Sequence, residues 1–126
     1  MTPLVSSYDA ALFDLDGVIY LGPNAIDGVA GSLAQLRERG IRLGFVTNNA
    51  ARTPTAVAEH LRELGIRADD SDVVNSTQAM VRMLRKELPT RAKVLVVGTD
   101  ALASQLADGG FAPVSTLEEN PVAVVQ

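Results

Sequence analysis

The sequence predicts an α/β fold organised around a parallel sheet, and three observations lead to it. Three short apolar runs, residues 11–15, 41–46 and 94–97, have the length and composition of buried strands. Each gives way to small or polar residues and then to a helical pattern, the alternation of βαβ units. The chain has 126 residues, enough for about one domain with a real core.

The first run, "ALFDL", carries one carboxylate, Asp14, and is followed at once by a second, Asp16, and then Gly17. A helix is expected over residues 29–39, where Val29, Leu33 and Leu36 repeat at helical spacing and Gly40 is a natural stop. After the second run, "IRLGFV", a second helix is expected over 54–64. Thr53 can cap it, Pro54 suits its first position, and Gly65 ends it. A third helix should cover 77–87, with Ala79, Met80, Met83 and Leu84 along one side. The run "VLVV" then leads to a fourth helix, capped by Thr99 at Asp100 and ended by Gly109 and Gly110. The closing "NPVAVVQ" reads as a turn and the start of a fourth strand. An apolar strand is an awkward terminus, so the 126 residues are expected to belong to a longer protein.

Composition narrows the function. Hydrophobic residues make up 47% and charged residues 21%, ordinary for a globular chain. The net charge is −4 with no basic stripe, which argues against a nucleic-acid partner. There is no cysteine, so disulfides and thiolate chemistry are excluded. The N-terminus lacks the features of a secretory signal, and no apolar run approaches a membrane span, so a cytoplasmic protein without a membrane partner is the default expectation.

Asp14 and Asp16 alternate along an extended segment and should project to one side. At the carboxyl end of a parallel strand they would face a binding crevice. Two carboxylates this close need a cation between them or a shared proton, and hard cations such as Mg²⁺ prefer such oxygens. The second run ends in "VTNNA", where the Thr47 hydroxyl and neighbouring backbone N–H groups could hold a phosphate oxygen.

"DLDGVIY" followed by "VTNNA" resembles the haloacid dehalogenase superfamily in its phosphatase branch. It is most similar to the group with a large cap inserted after the second motif, which includes 4-nitrophenyl phosphatase-like, phosphoglycolate phosphatase-like and glycerol-phosphate phosphatase-like enzymes. "RTPTAVAEHLRELGI" resembles that family's next helix, and residues 72–111 resemble the opening of its cap. The resemblance implies a Rossmann-like parallel core in residues 1–70 and the beginning of an inserted α/β cap in 71–126.

It also implies roles. Asp14 would be the nucleophile and Asp16 the general acid and base. Mg²⁺ would be held by the Asp14 carboxylate and the Asp16 carbonyl. Thr47 would bind the phosphoryl oxygen with the Asn48 backbone, Asn49 would orient substrate, and Gly17 would line the phosphate site where the chain turns away. The second acid speaks against dehalogenation. The implied reaction is Mg²⁺-dependent hydrolysis of a small phosphorylated metabolite, and cap surfaces leave a homodimer open. The family's later lysine and metal-completing acids have no counterpart here, since Lys86 and Lys93 both fall in cap-like sequence. The alternative is therefore a catalytically incomplete fragment, or a non-enzymatic interaction module with the same fold.

Blander readings stand beside these. Asp-x-Asp-Gly also opens calcium loops, but those need further oxygen ligands at fixed spacing. "ADDSD" (68–72) reads as a solvated loop or helix cap, and "VLVVGTD" as a structural strand-to-helix turn, far short of a dinucleotide fingerprint. His60, the single histidine, reads as a surface or partly buried helix position. Tyr20 and Leu21 read as packing or as a wall near the site, and Met80 and Met83 as core.

Overall fold

The computed structural model describes residue 1 and residues 3–126. It is an α/β structure with parallel strand pairs, and the chain divides into two compact units. The first comprises Met1–Thr47 and Pro54–Val74, the second Asn48–Thr53 and Asn75–Gln126. That division falls four residues later than the expected 70/71 boundary, and it assigns the segment after Thr47 to the second unit.

In the first unit, β1 (Ala10–Asp14) is followed by a small hairpin, β2 (Tyr20–Leu21) and β3 (Asn24–Ala25). Then come α1 (Val29–Glu38), β4 (Arg42–Thr47), α2 (Pro54–Glu63), a 3-10 turn (Asp70–Asp72) and β5 (Val73–Asn75). The sheet order is β1-β4-β5. β1 and β4 pair in parallel from Ala10 opposite Arg42 to Asp14 opposite Val46. Period-two alternation sets the faces. Leu43, Phe45 and Thr47 are buried while Arg42 and Val46 are exposed. α2 buries Val57, Ala58 and Leu61, and α1 buries Leu33. With Leu15, Ile19, Phe45 and Ile66 these form one core, each large side chain contributing about 1.5–3 kcal/mol. Both helices stop at the expected glycines. Ile41 N–H reaches back to the Leu36 carbonyl across Gly40, and Ile66 N–H to Leu61 across Gly65.

In the second unit, α3 (Ser76–Glu87), β6 (Lys93–Val96), α4 (Asp100–Asp108), β7 (Ala112–Val114) and β8 (Ala123–Val125) follow in order. The sheet order is β7-β6-β8, with both pairs parallel. Val81, Val94, Leu102, Leu106, Phe111 and Val125 make its core. Thr99 caps α4, its hydroxyl accepting from Leu102 N–H at 3.4 Å.

Two expectations need correction. Of the apolar side expected for α3, Met80 and Leu84 pack against the core, but Ala79 and Met83 are exposed. Thr77 and Val81 are buried, Met80 and Leu84 are partly buried, and Met83 is 59% exposed. The stripe runs 77, 81, 84, 88, and Met83 lies about 200° around the helix from Val81. The expected strands also omitted β2, β3, β5 and β7, all of two or three residues. β7 contains Pro113, which is tolerated because β7 is an edge strand. Among the described residues, no helix is long and apolar enough to cross a membrane.

Candidate active site

Asp14 is the last residue of β1 and Thr47 the last of β4. Because Asp14 lies opposite Val46 in the parallel register, both side chains belong to the carboxyl ends of adjacent strands. Asp14 is exposed, and Thr47 is buried at 3% exposure. Asp14 Oδ1 accepts from Leu15 N–H at 2.9 Å, which fixes the carboxylate against the backbone.

Alternation continues past the strand end. Leu15 is fully buried between two exposed acids, Asp14 and Asp16. Their charge therefore stays in water, which removes the desolvation cost of two acids at the end of a core strand. Beyond Asp16 the chain closes a tight turn. The Leu15 carbonyl accepts from Val18, Ile19 and Tyr20 N–H, and Gly17 N–H donates to the Tyr20 carbonyl at 2.8 Å. Gly17 sits at φ +80°, a conformation that strains any residue with a Cβ. Asp16 makes an isolated bridge to Tyr20, so the second acid's backbone is tied to the start of the β2–β3 hairpin.

That hairpin is itself anchored by α2. The His60 ring meets the buried Tyr20 edge-on, with centroids 4.9 Å apart, and His60 Nε2 lies 3.3 Å from the Gly22 carbonyl. Tyr20 is therefore a packed residue, whereas Leu21 is exposed. His60 is a partly buried helix position, as the sequence suggests, and its contact with the Gly22 carbonyl joins partners 38 residues apart in sequence.

Asn48 and Asn49 belong to the second unit. There the Asn48 carbonyl accepts from Ser76 Oγ at 3.0 Å, and buried Asn75 donates through Nδ2 to the Arg52 carbonyl at 3.0 Å. Asn49 Oδ1 accepts from Ala51 N–H at 2.8 Å, so its carboxamide oxygen shapes its own loop. The acidic cluster at 69–72 also serves structure. Asp69 and Asp72 form a capping box, Asp70 accepts from the Thr55 hydroxyl, and Asp72 pairs with Arg37 at 3.6 Å. Among the described residues, no group of three or more Asp, Glu or His side chains converges to hold a metal ion.

Known proteins resemble this chain in sequence and fold. The family model for haloacid dehalogenase-like hydrolases matches residues 11–112. A D-glycerol 3-phosphate phosphatase of Mycobacterium tuberculosis is 44% identical over the whole chain, and a glycerol-3-phosphate phosphatase of Gallus gallus is 39% identical over 86% of it. A solved structure of a glycerol phosphate phosphatase from Mycobacterium tuberculosis in complex with magnesium superposes with a TM-score of 0.92 at 44% identity. It covers all of this chain and 38% of that one. The chain spans 35% of the length of those two curated relatives. With a family model covering most of its residues, the chain belongs to the haloacid dehalogenase-like hydrolases.

Proposed function

We propose that this chain supplies the nucleophile and the general acid–base of a Mg²⁺-dependent phosphatase acting on a small phosphomonoester of the glycerol phosphate type. The observation that supports it best is the pairing of two strand ends, Asp14 on β1 and Thr47 on the neighbouring parallel β4, with exposed Asp16 two residues on. The activities of those two phosphatases support the substrate class.

A carboxylate oxygen of Asp14 attacks phosphorus and forms an aspartyl-phosphate as the bond from phosphorus to the ester oxygen breaks. Asp16 gives its proton to the departing alkoxide. It then takes a proton from the water whose oxygen attacks the same phosphorus. The bond from phosphorus to Asp14 breaks, and orthophosphate leaves. Thr47 donates to a phosphoryl oxygen with help from the Asn48 backbone, and Asn49, next in the chain, orients the substrate. Gly17 presents no side chain to an approaching phosphate. The exposed Asp14 carboxylate and the Asp16 carbonyl are hard oxygen donors of the kind Mg²⁺ takes. When bound there, the ion would offset charge during phosphoryl transfer.

One observation favours a second reading of residues 1–126 taken alone. The described residues bring together no set of three metal-ligating side chains. On that reading the chain is a catalytically incomplete half, and further ligands and a lysine come from outside it.

The test is phosphate release from glycerol 3-phosphate and 4-nitrophenyl phosphate by the natural protein that carries this chain. Release should require Mg²⁺, stop on chelation and return on Mg²⁺ addition. Asp14→Asn should lose about a thousandfold or more. Undiminished turnover by that variant would overturn the assignment.

A further inference from the structure

We infer that His60 is a positioning residue for Asp16, holding the turn that carries this acid through the β2–β3 hairpin. The inference rests on the phosphatase reading above and adds a residue to it.

Every link lies in the first unit. Asp16 and Gly17 are tied to Tyr20 by a backbone bridge and by the 2.8 Å bond from Gly17 N–H to the Tyr20 carbonyl. Tyr20 opens the hairpin, pairing with Ala25. A two-stranded ribbon of four paired residues is not stable by itself in water, so its position depends on what it packs against. The ring of His60, on α2, supplies two contacts. It meets the Tyr20 ring in a T-shaped contact, at 4.9 Å and 74°. Its Nε2 faces the Gly22 carbonyl at 3.3 Å, at the hairpin tip. A carbonyl offers only lone pairs, so Nε2 carries the proton in this contact. Its Nδ1 lies 3.6 Å from Glu63 Oε2 on the same helix. α2 is seated by three buried side chains, Val57, Ala58 and Leu61, and gives the ring a rigid base.

A general acid matters most where the leaving group is a poor one. An alkoxide must be protonated as it departs, whereas 4-nitrophenolate leaves well without help. Misplacing Asp16 should therefore cost more with glycerol 3-phosphate than with 4-nitrophenyl phosphate. A general loss of fold would lower both alike.

The experiment compares kcat/KM for these two substrates in the natural full-length protein, for His60→Leu, His60→Gln and Asp16→Asn, with Tm measured on each. This parameter covers the steps up to leaving-group departure. Asp16→Asn sets the scale and should fall far more on the alkyl than on the aryl ester. His60→Leu, which loses the donor and the aromatic edge, should fall about tenfold on the alkyl ester and about twofold or less on the aryl ester. His60→Gln, which keeps a donor for the Gly22 carbonyl, should recover part of the alkyl activity. Equal losses on both substrates, or no loss, in His60→Leu alongside a selective loss in Asp16→Asn would overturn the positioning role alone. Unselective behaviour of Asp16→Asn would overturn the acid–base assignment, and the role of His60 with it.

Discussion

The two units are built alike and end their strands differently. Each sets a parallel strand, a polar turn and a helix in succession. In the first, β1 runs into Asp14, Leu15, Asp16 and Gly17, and neighbouring β4 ends on Thr47. In the second, β6 ends at Val96 and passes through Gly98 and Thr99 into α4. Thr99 spends its hydroxyl on a helix cap, and Asp100 sits in the helix's first turn, where a negative charge complements the dipole. The same architecture thus carries paired acids in one unit and helix-capping chemistry in the other. The strand ends, more than the layers, separate a candidate catalytic unit from a structural one.

The sharpest way to break this contrast is to treat the strand-end acid Asp14 and the helix-start acid Asp100 identically. Asp14→Asn should cost about a thousandfold in turnover, and Asp100→Asn should leave turnover within about twofold. Comparable losses from both would erase the distinction. The cores come next. Phe45→Ala, at a fully buried site in the first unit, should destabilise by about 3–5 kcal/mol. Leu106→Ala, fully buried in the second, should cost about 2–5 kcal/mol. Denaturant titration gives the totals, and hydrogen exchange should show protection falling first in the unit that carries the substitution.

The threonines follow. Thr47→Val should lower kcat/KM by about 10- to 100-fold, because it removes a donor to the phosphoryl oxygen. Thr99→Ala should leave kcat/KM unchanged and cost about 1 kcal/mol of stability through the lost cap.

The smallest effect belongs to Glu118, exposed on a 3-10 turn of the second unit. A hydrogen bond from its own backbone, and then one from Thr116, hold its carboxyl below the ordinary value. A lowered folded pKa stabilises above the unfolded pKa, and the benefit is lost as pH falls through the lowered value. Glu118→Gln should remove this small gain near neutrality and leave Tm unchanged at low pH, which slightly flattens the acid side of the Tm–pH curve.

The sequence disclosed what depends on local chemistry. All four helices are legible because their stops and caps are written in glycine, proline and threonine, and they match within a residue or two. The strand-end places of Asp14 and Thr47, with Asp16 just beyond, are legible because an acid or hydroxyl at the end of an apolar run is a local contradiction. β5 and β7 are not, since three residues carry no periodicity and Pro113 argues against a strand. The phase of α3 was misjudged because Met83 is as apolar as Val81, and only packing tells them apart. The work of His60 depends on a carbonyl 38 residues away, which no local pattern announces.

The central claim is that Asp14 takes the phosphoryl group, and trapping that intermediate tests it most directly. The natural full-length protein would be mixed with substrate and Mg²⁺, quenched in acid during turnover, digested and mapped by mass spectrometry. The expected result is a phosphoryl increment on the peptide containing Asp14, located at Asp14 by fragmentation and absent in Asp14→Asn. A phosphoryl group on any other residue, with Asp14→Asn still turning over, would contradict the account.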